Sequence, residues 1–155
     1  MGASDWHYTV AYQEDIIDAF EELRQHTFEQ GAYYKPWDDD DDEYGLAEEP
    51  ESIEDLLELN ETEGTHSILD MHRVALAPIA RGDEGKFGVV YPLAAGDLVE
   101  LFGTDKPTAA MVETLERQNP GRLVGYVPGR WRGIYFTLYK DDKPEGYYFT
   151  GFSGD

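Results

Sequence analysis

Apolar residues recur along the chain with two different spacings, and each change of spacing marks an element. Residues 6–12, WHYTVAY, are aromatic and β-branched and predict a first strand. From 15 to 30, Ile16, Ile17, Phe20, Leu23 and Phe28 keep close to a 3.6-residue period, which predicts a helix with Gly31 at its carboxyl end. Pro50 and Ser52 open a second helix: Ser52 and Asp55 stand at capping-box spacing, Ile53, Leu56, Leu57 and Leu59 supply the apolar positions, and Gly64 closes it. Residues 65–76, THSILDMHRVAL, read as a strand, with a helix as the alternative, and 87–91 as a short strand stopped by Pro92. Helices are expected over 95–102 and 107–118, with Pro107 in the first turn of the second. Strands follow at 123–127, 134–140 and 147–152. The last two flank Asp141-Asp142-Lys143-Pro144 and predict a hairpin with a turn of about four residues. The order β-α-α-β-β-α-α-β-β-β implies one α+β domain over 1–155, with a mostly antiparallel sheet and about four helices.

Composition sharpens this picture in one respect. The 155 residues are 41% apolar and 14% aromatic, enough for a packed core, and none is cysteine, which excludes disulfides, thiolate metal sites and cysteine nucleophiles. The net charge is −21, and it is unevenly placed. Residues 1–70 hold 22 acids and two bases, a net of −20, while residues 71–155 hold 11 acids and 10 bases, a net of −1. The run from Asp38 to Glu43 repels itself too strongly for regular structure, so 32–50 is expected to be an acidic solvated loop. No basic stripe is available for nucleic-acid phosphates, and an anionic membrane would be repelled. No apolar run approaches the roughly 18 residues of a membrane span, and no basic-then-apolar leader opens the chain, so a cytoplasmic protein is expected. Salt adaptation is an alternative reading of the charge, although adaptation would spread carboxylates over both halves.

The blocks GTHSILD (64–70), FGTDKPT (102–108) and YYFTGFSGD (147–155) together resemble a family of small, functionally uncharacterised bacterial proteins. That family carries a GTHSILD-like block, a later FGT-K-P block and an aromatic terminal strand ending in Asp. The resemblance implies a single domain and brings no activity, cofactor or catalytic residue with it. The acidic stretch from Asp38 to Glu49 is longer and more charged than the pattern implies.

Two constellations carry candidate chemistry. On a strand, His66, Asp70 and His72 would share one face, where two imidazoles and a carboxylate could hold a divalent metal or act as an acid–base pair. An enzyme centred there could recruit Arg132 or Tyr135 from the hairpin. Apart from that metal no cofactor is expected. Asp40, Asp42, Gly45 and Glu51 fall at calcium-loop spacing, but Tyr44 replaces an oxygen ligand and no helix leads in. Hydrolase, nucleotide-loop and zinc-protease motifs are missing. The second constellation is the acidic face itself. Trp37, Asp38, Asp39, Asp40, Asp41, Asp42, Tyr44, Glu54 and Glu58 set aromatic anchors beside carboxylates, the means by which a protein grips a basic partner. The leading expectation is therefore a non-enzymatic, immunity- or inhibitor-like module for a basic protein.

Overall fold

The structure, a computed structural model, describes residues 3–35, 50–61 and 64–154. In chain order the elements are strand β1 (Asp5–Ala11), helices α1 (Ile16–Glu29) and α2 (Ile53–Leu59), strands β2 (Arg73–Val74) and β3 (Val89–Pro92), helices α3 (Ala95–Phe102) and α4 (Ala109–Gln118), and strands β4 (Arg132–Lys140) and β5 (Lys143–Phe152). This is an α+β domain with four α-helices among the described residues. None of these helices is long and apolar enough to cross a membrane.

Local chemistry sets the helix ends. The Asp15 carboxylate accepts from the Ile17 N–H at 2.9 Å and starts α1, and Gly31 follows its end with φ +64°. The Ser52 hydroxyl accepts from the Asp55 N–H at 3.2 Å and starts α2. In α4 the cap is Thr108, which accepts from the Met111 N–H, so Pro107 lies just outside the helix. Pro107 is fully buried there, and its carbonyl accepts from the Tyr139 N–H, tying the α3–α4 junction to β4.

The sheet order is β1-β5-β4-β3-β2. β1–β5 and β5–β4 are antiparallel, but β4–β3 and β3–β2 are parallel, so the sheet is mixed where a mostly antiparallel one was expected. For β3 and β4 the cause is the return path: α3 and α4 carry the chain back across one face before β4 begins, and such a crossover delivers a parallel strand; between β2 and β3 the loop 75–88 makes the return. Alternating side chains then fill two cores. On one face Trp6, Phe20, Leu23, Ile68, Tyr135, Tyr147 and Phe149 pack with α1; on the other Leu98, Leu101, Val112, Leu115, Phe136 and Tyr148 pack with α3 and α4. Gly133 and Gly151 are register partners, and together they make the bed for the Trp6 indole. A Cβ on Gly151 would lie 2.6 Å from the Arg132 carbonyl oxygen, so side chains are excluded there.

Three expectations are corrected. Residues 65–76 are not a strand: a 3-10 turn (Ile68–Asp70) precedes the two-residue β2. Here the hydroxyls and carboxylate bond to nearby backbone, which curls the chain instead of extending it. Residues 123–127 form a 3-10 turn (Val124–Tyr126) because Leu123 and Val127 are buried at helical spacing. The hairpin turn is two residues, Asp141 and Asp142, both left-handed (φ +51° and +62°), with Lys140 opposite Lys143. That is the type I′ geometry matched to strand twist, and Asp tolerates it.

Candidate functional site

The amino ends of the three parallel strands meet at one end of the sheet. His72, Gly88 and Trp131 are the residues just before β2, β3 and β4. A backbone relay links them: the His72 N–H donates to Gly88 O (2.8 Å), the Gly88 N–H to Trp131 O (2.6 Å), and the Trp131 N–H to Phe152 O (3.1 Å). Around this edge lies an open cleft of about 370 Å³, lined by Glu61, Asp70, His72, Phe87, Gly88 and Trp131.

Asp70 is the chemical centre of the cleft. It is only 7% exposed, and both its oxygens are engaged: Oδ1 accepts from the Thr65 N–H at 2.6 Å and Oδ2 from the Ser153 hydroxyl at 2.7 Å. Thr65 and Ser67 share a hydroxyl hydrogen bond of 2.7 Å, Ser67 Oγ accepts from the Leu69 N–H, and the Tyr8 hydroxyl accepts from the Ile68 N–H. Thus the GTHSILD block and Ser153, far apart in sequence, meet in one buried polar network. Burial raises the Asp70 carboxyl above its ordinary value; the hydrogen bonds from Thr65 and Ser153 oppose that rise. Burial likewise raises the Tyr8 phenol.

Close approach builds the wall. Trp131 takes a left-handed backbone (φ +62°), rare for an aromatic residue, and its ring lies against Gly64 and Gly154. A Cβ on Gly64 would come within 2.9 Å of Asp70 Oδ2 and 3.0 Å of the Trp131 ring, and one on Gly154 would overlap that ring. On the far side the Arg132 guanidinium lies 4.3 Å over the Phe87 ring and donates to Gly85 O and Arg130 O.

The residues expected to act are dispersed. Trp37, Asp38, Asp39, Asp40, Asp41, Asp42 and Tyr44 lie outside the described residues. Glu54 and Glu58 stand exposed on α2. His66, Asp70 and His72 do not share a strand face, since the strand that would align them is a turn. His66 (φ +53°) stacks its ring on Tyr34 at 4.4 Å, Asp70 points into the network, and exposed His72 lines the cleft. Among the described residues no three His, Asp or Glu side chains are placed to hold a metal ion. Tyr135 donates instead to Ala75 O on the α1 face. Sequence reasoning missed Glu61, Phe87 and Trp131 as cleft residues; the only signal was Trp131 between two arginines beside a glycine-rich stretch. A second cavity of about 390 Å³ lies beside the end of β3, and its one arginine, Arg81, is already held by Asp97 (3.2 Å) and Glu100 (2.6 Å).

No protein-family model, curated protein or solved structure matches the chain.

Proposed function

We propose that the chain is a non-enzymatic protein-binding module, immunity- or inhibitor-like, whose acidic amino-terminal part engages a basic partner. The observation that carries this reading is the outer face of α2. Leu56 is the only residue that helix buries, and Glu54, Asp55 and Glu58 project outward with no cation paired to them among the described residues. Glu61 continues the acidic face into the cleft that Asp70 floors. Charge of one sign gathered in one place steers an oppositely charged protein and speeds its association. The run from Asp38 to Asp42 adds to the same half of the chain. The resemblance to the small bacterial family is in keeping with a single compact module and adds no activity to it.

The test uses the full chain, immobilised, to capture proteins from the cells that make it. Association of a retained one-to-one partner is then followed at several salt concentrations. The rate should fall steeply as salt rises, and Glu54→Lys with Glu58→Lys, or reversal at Asp38 to Asp42, should slow association far more than it speeds dissociation. A salt-insensitive rate, or one untouched by these substitutions, contradicts the reading.

A second reading is favoured by one observation, that Asp70 and His72 line the same cleft. On that reading the pair performs acid–base chemistry on a small substrate, with Asp70 as the acid because burial favours its protonated form. Turnover lost in both Asp70→Asn and His72→Gln would distinguish it from a binding module.

A further inference from the structure

We propose that the cleft at the amino ends of β2, β3 and β4 is a socket for the guanidinium of an arginine side chain presented by the partner. This rests on the reading that the partner is basic, and it adds where one of its side chains is seated.

Three properties of the cleft select that group. Its floor is a carboxylate, Asp70, that is almost wholly out of water yet reachable from the cleft. Thr65 N–H and the Ser153 hydroxyl donate to its two oxygens and the Thr65 hydroxyl lies close as well, and since a carboxylate offers about four acceptor sites, capacity remains for an incoming donor. Glu61 supplies a second carboxylate at the rim. Trp131 and Phe87 also line it, and flat cations stack on aromatic rings. Phe87 already shows this affinity on the protein's own account, with the Arg132 guanidinium 4.3 Å from its centre.

The alternatives fit less well. An anion would meet Asp70 and Glu61. A metal ion would need three converging ligands, and no such set is present among the described residues. An apolar group would leave a buried carboxylate facing it unpaired, which is costly. A guanidinium suits this lining: its N–H groups can pair with carboxylates while its flat face stacks on an aromatic ring.

The buried network also gives the socket a fixed geometry. Asp70 is clamped from one side by the 64–70 turn and from the other by Ser153 after β5, so its oxygens are oriented before a ligand arrives. Preorganisation of this kind lowers the ordering cost of binding.

The experiment titrates the full chain with N-acetyl-arginine amide and, separately, with the citrulline analogue, which has the same shape but no charge. Binding is read from NMR shifts of the Asp70, His72, Gly88 and Trp131 backbone amides, at about 0.15 M salt so that distant charges are screened. The arginine probe should shift these amides in a saturable way and the citrulline probe should not. Asp70→Asn should weaken the arginine probe about tenfold or more, because a charge-assisted pair is lost. Should Asp70→Asn fail to fold, Glu61→Gln at the exposed rim carries the same expectation at about threefold. The double variant Glu54→Lys, Glu58→Lys should leave probe affinity within about twofold, since these residues lie outside the cleft. Equal binding of the two probes, or no shifts with either, overturns the socket. The probe titration needs no partner, so failure of the socket leaves the salt-dependent association at α2 standing. Conversely, failure of the partner reading would show as unchanged association in the α2 variant while probe binding persists.

Discussion

Strand β5 buries six consecutive residues, 146–151, whereas helix α2 buries one, Leu56. Both are short pieces of the same domain, yet they meet opposite demands. β5 lies between β1 and β4, covered on both faces, and aromatic side chains alternate from it into the two cores. α2 rests on the 3-10 turn and turns its charges to water. β5 is thus a place where shape is fixed closely, and the outer face of α2 is a place where charge is free to vary. Substitutions in β5 should register as stability, and substitutions on the outer face of α2, on the proposed reading, as association.

The sharpest contrast comes from Gly151→Ala. The added methyl would meet the Arg132 carbonyl at 2.6 Å as well as the Trp6 indole, and backbone cannot move aside without distorting β4. A loss of about 2–3 kcal/mol in denaturant unfolding is expected. Unfolding at the wild-type midpoint would mean that Trp6 is not seated on this glycine pair. Next is Ser153→Ala, which removes one of the two hydrogen bonds to a buried carboxylate and should cost about 1–2 kcal/mol.

Asp70 also gives stability a pH signature. Its carboxyl value is raised in the folded chain above the ordinary 3.8, so in the window above 3.8 the folded state holds more protons than the unfolded one. The contribution of this group is therefore full at low pH and is lost as pH rises through the folded value. Subtracting the Asp70→Asn curve from the wild-type curve should leave a difference that declines with rising pH across that window. A flat difference would contradict the burial of Asp70. At the alkaline end, Tyr135 and Tyr147 are pushed up to about 12 by burial, and their hydroxyls donate to Ala75 O and Gln13 O. Stability should fall between pH 10 and about 12, coincident with ultraviolet titration of the buried phenols. The smallest effect on stability belongs to α2: Glu54→Lys with Glu58→Lys should change it by no more than about 0.5 kcal/mol, even though one lysine enters the first turn.

The same contrast explains what could be read from the chain. The helices and the terminal hairpin were legible because their signals are local: Ser52 caps its helix as expected, the apolar period placed α1 to within a residue of its start, where Asp15 is the cap, and the alternation of Tyr, Phe and Leu through β4 and β5 matches their two-sided burial. The 65–76 segment was not, because its polar and apolar residues follow neither period and what bends it is a hydrogen-bond network that the sequence does not display. Thr65 and Ser67 are wholly buried and Asp70 nearly so, bonded to each other, to nearby backbone and to Ser153, and the last of these lies 83 residues away. The parallel pairing of β2, β3 and β4 depends equally on contacts distant in sequence. For the site, Asp70 and His72 were visible as residue types, but their grouping with Trp131 and Phe87 arises only when three strand ends come together. The position of the charge was plain from the chain alone, because charge needs no fold to be counted.

The most direct measurement of the central claim compares two variants of equal charge against the captured partner. Glu54→Lys with Glu58→Lys changes α2; Glu113→Lys with Glu116→Lys changes α4, which packs on the opposite face of the sheet. Each pair raises the net charge by the same four units, from −21 to −17. The α2 pair should slow association about tenfold or more at low salt, and the α4 pair should change it by less than about twofold. Equal slowing by both pairs would contradict the claim, because the charge would then act only as a property of the whole molecule.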